Sequence, residues 1–298
     1  MENSTENTTE LTIKDEKSNS KIRNPFPWIG KVFKYEMKHS IRNLGLVYII
    51  FCIFSFIAGV FVFNKWKSSD DIVLTENGFT FSSVNPLRGL CLFLFISFLA
   101  ATFIITTIML KKRFENGLLG DEAYLNLSLP VTIGEHIIGR ILSVAVCFIF
   151  YLLIANLCGF LLSAFSDGSY WINLVSIPRN IDMSYIEHPK LFVFQFVMTI
   201  TTFIFIASVA LESFIYLIIS IGHLVKKAKV IIKLAAIFSI MILTFRINGI
   251  ILSGFNFDLR NVFEFMKWIW VNSAYYFVII LIYNLGSYFA LKFKLNLE

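Results

Sequence analysis

The sequence predicts an all-α integral membrane protein with six transmembrane helices, and two observations support that prediction. The composition is strongly apolar: 57% of the 298 residues are hydrophobic, 33 are phenylalanine, and the mean hydropathy is +0.73. The chain also contains five long uncharged runs and a sixth that carries Lys233 near one end. As helices rising about 1.5 Å per residue, such runs cross a hydrocarbon core of about 30 Å. The predicted spans are 44–63, 89–110, 141–165, 191–211, 230–245 and 268–291.

The distribution of basic residues predicts the orientation of these spans. Eighteen of the 26 Lys and Arg residues lie in 1–43, 111–140, 223–233 and after residue 291. Because Lys and Arg are retained on the cytoplasmic side, these segments and both termini are predicted to be cytoplasmic. The net charge of +6 mostly reflects this bias, so no nucleic-acid partner is needed to explain it.

The chain is predicted to contain a membrane domain, 44–291, with a segment before it and two tails. Residues 1–24 are polar and predict a disordered cytoplasmic tail, and 292–298 form a second short tail. Residues 25–43 predict an amphipathic helix, which fits either a helix lying in the membrane interface or a generic juxtamembrane anchor. Its apolar face carries Ile29, Val32, Phe33, Met37 and Ile41, and its basic face carries Lys31, Lys34, Lys38 and Arg42.

Enzyme signatures are missing from the sequence. None of the four histidines forms the H-E-x-x-H pair of a metalloprotease, and the four cysteines lie inside predicted spans. The segment from Gly134 has the glycine spacing of a phosphate-binding loop, but Arg140 and Ile141 stand where that loop needs Lys and a hydroxyl. We therefore predict no catalytic residue, no metal ligand and no nucleotide bound by this chain.

Two ionisable residues lie within or beside the predicted spans and are candidates for an interfacial or pathway role. Counting along the helices places Glu212 near the cytoplasmic interface and Arg246 near the external headgroups. Arg246 either extends its side chain to those headgroups or contacts a substrate. Because the two residues are expected at opposite ends of the membrane, an intramembrane enzyme built on the pair is disfavoured.

The cytoplasmic loop 111–140 has a definite predicted architecture. Asp121 is suited to cap a short helix that runs to Leu129, and Pro130 ends it. Thr132 and Glu135 have the spacing of a capping box, which starts the helix that enters the third span. The short helix would expose Tyr124, Leu125 and Leu129, and exposed apolar anchors of this kind indicate a protein partner.

Two further motifs stand out in the sequence. The first comprises Glu122, Tyr124, Leu125, Leu129, Pro130 and Val131, followed by Arg140 at the third span. The second comprises Ser220, Ile221, Gly222, Leu224, Lys226, Lys227 and Lys229. Both motifs resemble those of the permease subunits of type-2 ABC exporters, particularly the small six-span permeases of Gram-positive bacteria, although Ala123 stands where many relatives have glycine. The 25–43 segment is also similar to the elbow-type helix of these proteins.

The resemblance implies a multi-pass protein of the cell membrane that forms the translocation pathway of an exporter as a homodimer or as a heterodimer with a related permease. A separate cytoplasmic ABC ATPase would bind ATP and Mg and would push on the 121–129 helix. The alternative is a polytopic scaffold or sensor accessory subunit that transports nothing. The docking residues implied by the resemblance are Glu122, Tyr124, Leu125, Leu129, Pro130, Gly222 and Leu224.

Overall fold

The computed structural model describes residues 26–60, 73–75, 78–80, 86–120, 132–164, 189–224, 229–255 and 262–295. Within these ranges the chain forms six long helices, and all six are long and apolar enough to cross a membrane. The predicted all-helical fold is thereby confirmed, whereas the side on which the termini lie stays a prediction. The helices are α1 (Phe26–Ala58), α2 (Pro86–Leu119), α3 (Ile133–Ala164), α4 (Pro189–Leu224), α5 (Lys229–Ser253) and α6 (Val262–Leu295).

A short hairpin between α1 and α2 is the one departure from an all-helical chain in the described residues. Strand β1 (Val73–Thr75) pairs antiparallel with β2 (Gly78–Thr80), with Leu74 opposite Phe79. The hairpin lies in the predicted external loop 64–88. The hairpin was not predicted from the sequence, because three-residue strands are too short to show an alternating pattern.

Most of the helices continue well beyond the hydrophobic runs that predicted them. Helix α2 ends at Leu119 rather than at 110, α3 begins at Ile133 rather than at 141, and α4 ends at Leu224 rather than at 211. Charged residues end a hydrophobic run but do not end a helix, since Lys, Arg and Glu are good helix formers. At the other ends, Pro86 and Pro189 begin α2 and α4, positions at which the missing N–H of proline costs nothing.

Helix α1 joins the predicted amphipathic segment 25–43 to the first span without a break. Lys31, Lys34, Lys38 and Arg42 are all exposed, and most of the opposite, apolar face is at least partly buried. Ile41 departs from this pattern, with 56% exposure. Helix α3 packs against part of the apolar face. The amphipathic character of the segment and its position in the membrane interface stay predictions.

Helix α5 continues past the predicted end of the fifth span. The hydrophobic run predicted an end at Phe245, but the helix runs on to Ser253. Gly249 does not interrupt it, because a single glycine weakens a helix by only about 1 kcal/mol. The helix ends where Gly254 N and Phe255 N bond carbonyls three residues back, a tightening common in last turns.

The core of the bundle lies mainly among α1, α2, α3 and α4, with α6 packed extensively on α4. Phe114 of α2 stacks on Tyr216 of α4 with ring centres 4.0 Å apart, and both side chains are buried. Tyr48 of α1 shares a hydrogen bond of 3.1 Å with Thr106 of α2. The first contact packs two aromatic rings in the interior, and the second pairs two buried hydroxyl groups.

Gly139 marks a close approach between α3 and α1. A Cβ atom there would lie 2.9 Å from Val32 Cγ1 and 3.3 Å from the backbone oxygen of Ile29. Small residues at such contacts let membrane helices pack closely. We expect Gly139→Ala to lower the free energy of unfolding of the detergent-purified chain by about 1 kcal/mol or more, because the two helices must separate.

Gly45 of α1 provides the matched control, because nothing lies within 4 Å of its would-be Cβ. Gly45→Ala should raise the free energy of unfolding by about 1 kcal/mol through helix propensity alone. Thermal unfolding of the two variants measures the difference, and shifts of the same sign would contradict this account of the contact.

Candidate functional site

A largely buried ion cluster joins α1, α2 and α3 next to residues 121–131. Arg113 of α2 donates from Nε to Glu36 Oε2 of α1 at 2.9 Å, and Arg140 Nε of α3 lies 3.3 Å from Glu36 Oε1. The Arg140 contact is an ion pair rather than an aligned hydrogen bond. The side chains of Glu36 and Arg140 are 8% and 4% exposed. Each carboxylate oxygen of Glu36 therefore faces one guanidinium group, mostly out of water.

Arg140 also binds the end of α2 directly. Its Nη1 donates to the backbone oxygens of Phe114 at 3.0 Å and Arg113 at 3.3 Å, within the last two turns of that helix. Gly117 lies against Nη2 and leaves it room, since a Cβ there would collide with the guanidinium. The carbonyl end of a helix favours a cation. Arg140 thus ties the start of α3 to the end of α2.

The start of α3 is held by the predicted capping box. Thr132 N donates to Glu135 Oε2 at 2.7 Å, and Glu135 N donates to Thr132 Oγ1 at 3.3 Å. His136 N adds the first backbone bond of the turn, to Thr132 O at 3.1 Å. The prediction from residue spacing is confirmed, and the first turn of α3 is fixed one residue after the 121–131 segment.

A second ion cluster joins the end of α2 to α4 and α5. Glu115 Oε1 accepts from Lys233 Nζ of α5 at 3.4 Å and lies 3.3 Å from His223 Nε2 of α4. The aliphatic stem of Lys233 lies directly over Gly222. These contacts hold together the two helices on either side of residues 225–228.

The predicted docking residues fall into two groups. Glu122, Tyr124, Leu125, Leu129 and Pro130 lie outside the described residues. Of the others, Gly222 is buried beneath Lys233 near the end of α4, and Leu224, the last residue of that helix, is 39% exposed. A docking role for all seven stays a prediction.

Glu212 lies inside the protein rather than at a surface. Its side chain is fully buried, and neither carboxylate oxygen has a hydrogen-bond partner in the described part of the chain. Because α4 continues to Leu224, Glu212 lies twelve residues, or about 18 Å, before the end of the helix. The expectation of an interfacial position rested on counting residues along the helix, and it stays a prediction. A pathway role stays a prediction.

Arg246 is exposed on α5, and no ion pair joins it to Glu212 among the described residues. Polar bonds attach the surrounding part of α5 to α6. Thr244 Oγ1 and Tyr283 OH lie 2.6 Å apart, and Tyr275 OH donates to Thr244 O at 2.6 Å. The exposure of Arg246 is compatible with both roles considered for it.

Neither ion cluster was predicted from the sequence, although the sequence contains an indication of one of them. At 100° per residue, Glu36 falls on the apolar face of the amphipathic segment, between Val32 and Met37. An acidic side chain in such a position needs a partner when that face is covered. The partners of Glu36 could not be predicted from the sequence, because Arg113 and Arg140 are 77 and 104 residues away in the chain.

The fold and these clusters define a polytopic helical protein in which ion pairs gather near the helix ends that flank 121–131 and 225–228. Among the described residues, no group of three or more His, Cys, Asp or Glu side chains is placed to hold a metal ion. Comparisons of the chain with protein-family models, with curated proteins and with solved structures found no match.

Proposed function

We propose that this chain is the membrane-spanning permease subunit of an ATP-driven exporter, coupled to a separate cytoplasmic ABC ATPase through the 121–129 helix. The Glu36–Arg113–Arg140 cluster supports this proposal most directly. It ties together the two helices that flank the proposed docking helix and adds α1 to them. A push on the docking helix would therefore reach three helices as one unit rather than deform a loop.

The second ion cluster extends this argument to the other proposed docking segment. Glu115 lies two residues after Arg113 on α2 and binds His223 and Lys233, which flank 225–228. An ATPase that contacts both 121–129 and the end of α4 would thus act on the same last turns of α2. Closure of the ATPase around ATP and Mg would supply the force, and this chain would bind neither.

The cargo path is proposed to form between two copies of the chain or between this chain and a related permease. The centre of the bundle is filled, and Phe51, Phe114 and Phe148 are almost completely buried. Apolar grooves lie instead on the sides of the bundle. One of about 390 Å³ follows α1 and α3, and one of about 320 Å³ lies among α4, α5 and α6. Apolar linings of this kind suit a hydrophobic or amphipathic cargo.

Co-purification with a cytoplasmic ABC ATPase co-expressed with this chain tests the proposal. We expect the double variant Tyr124→Asp, Leu125→Asp to reach the membrane in normal amounts but to retain the ATPase more than about 30-fold less well. The reason is that each aspartate places a charge in an apolar contact, and central interface anchors contribute about 2 kcal/mol or more. The measurement is the ratio of ATPase to tagged permease after mild detergent extraction.

The matched control is the double variant Tyr185→Asp, Ile186→Asp, which makes the same chemical change in a predicted external loop. It should retain the ATPase fully. Equal retention by both double variants would overturn the docking assignment. The wild type could also retain the ATPase without altering its ATP hydrolysis and without ATP-dependent transport in proteoliposomes. That result would instead favour the scaffold or accessory subunit.

A further inference from the structure

A small cavity with mostly polar and charged lining residues opens between α1 and α2, and it shares Arg113 with the Glu36–Arg113–Arg140 cluster. Its volume is about 210 Å³. Drug-sized ligands occupy pockets of roughly 300–1,000 Å³, so this cavity suits a smaller group. Its lining comes from one face of each helix: His39, Ser40 and Asn43 of α1, and Met109, Lys112, Arg113 and Asn116 of α2.

The lining of this cavity carries a net positive charge. Arg113 and Lys112 contribute two cations, and the nearby carboxylate of Glu36 is already matched by Arg113 and Arg140. Glu115, the next acidic residue along α2, binds His223 and Lys233 instead. The Lys112 ammonium is exposed and has no ion-pair or hydrogen-bond partner among the described residues.

The neutral polar groups of the cavity are also suited to an anion. Asn43 and Asn116 line the same space, and a side-chain amide carries two N–H donors. Asn43 Nδ2 lies 3.3 Å from His39 Nδ1, so the amide is positioned by its neighbour on the helix. Cations beside neutral N–H donors form an arrangement that proteins use for phosphate.

We propose that this cavity binds a phosphate group, and that the group belongs to an anionic phospholipid of the surrounding membrane. The position supports a lipid source. Lys112 lies seven residues, or about 10 Å, before the end of α2, near the depth of the headgroups. The exposed basic residues of α1, from Lys31 to Arg42, would concentrate anionic lipid at the same end of the bundle. This proposal does not depend on the ATPase.

Binding of short-chain lipids to the full-length chain in detergent tests the proposal. The probes are dihexanoyl phosphatidylglycerol, dihexanoyl phosphatidylcholine and inorganic phosphate, each titrated against the wild type. We expect saturable binding of phosphatidylglycerol that is about fivefold weaker in Lys112→Gln, since one cation near the membrane surface contributes about 1 kcal/mol. Asn116→Phe, which fills the cavity without changing the charge, should weaken binding to a similar or greater extent.

Lys111→Gln is the matched control, because it removes the same charge from the neighbouring position, which does not line the cavity. It should bind phosphatidylglycerol as the wild type does. Competition by inorganic phosphate at concentrations comparable to those of the lipid would support the phosphate site but assign it to a soluble source. Equal loss in Lys111→Gln and Lys112→Gln, or equal affinity for the zwitterionic phosphatidylcholine, would overturn the site.

Discussion

Replacing Arg140 with methionine is expected to lower the free energy of unfolding by about 3–5 kcal/mol, the usual effect of removing one partner from a buried ion pair. The loss comes from Glu36, which would stay buried with one of its two guanidinium partners gone. The carbonyls of Arg113 and Phe114 would also lose a charged donor. Thermal or chemical unfolding of the purified chain in detergent measures the change.

An exposed ion pair in the same chain provides the control. Lys267 Nζ binds Glu264 Oε1 at 2.6 Å, but the lysine side chain is 65% exposed. Lys267→Met should therefore change the free energy of unfolding by about 1 kcal/mol or less. The double variant Glu36→Leu, Arg140→Met should recover part of the loss, because no buried carboxylate remains and Arg113 is 27% exposed to water. Equal effects of the Arg140 and Lys267 variants would contradict the cluster's role in stability.

The second large effect is expected at Glu212, with the opposite sign. Glu212→Leu should raise the free energy of unfolding by about 3 kcal/mol. The reason is that an apolar side chain of similar size replaces a fully buried carboxyl that has no hydrogen-bond partner in the described part of the chain. A costly buried acid in a membrane helix is commonly functional. The same variant should therefore lose transport in proteoliposomes while the protein becomes more stable.

Glu135 provides the comparison for Glu212, because it is also buried but its carboxylate accepts the backbone bond of the α3 capping box. Glu135→Leu should lower the free energy of unfolding by about 1 kcal/mol, since a helix-capping bond is lost. Unfolding curves of the two variants check the opposite signs. A stabilised Glu212→Leu protein with unchanged transport would remove Glu212 from the pathway, and a destabilised one would mean that its carboxyl has a partner.

The positions of the six helices could be predicted from the composition, because a segment that crosses lipid needs apolar side chains along its length. The ends of the helices were harder to predict from the sequence. The hydrophobic runs stop at Lys111 and Glu212. Helices α2 and α4 nevertheless continue for nine and thirteen residues, respectively, past the predicted span ends. Those extensions depend on helix propensity and on contacts with other helices, and hydropathy measures neither.

The candidate site likewise has a part that was predicted from the sequence and a part that was not. The capping box of Thr132 and Glu135 was predicted, because its partners lie three residues apart and the bond depends on local geometry alone. Glu36 was recognisable as an acid on an apolar face but could not be assigned partners. Arg140 was read only as a basic residue at the start of the third span, and its contact with Glu36 bridges distant parts of the chain.

The amino-acid sequence by itself determined that this protein is suited to lipid, that it has six long helices, and that a local cap starts α3. Each of these follows from composition or from spacings of a few residues. The tertiary structure decided which charges meet: Glu36 with Arg113 and Arg140, and Glu115 with His223 and Lys233. It also left the Glu212 carboxylate without a hydrogen-bond partner among the described residues. The physical reason is that pairing of charges across helices depends on how the helices pack, and packing brings together residues that no sequence interval connects.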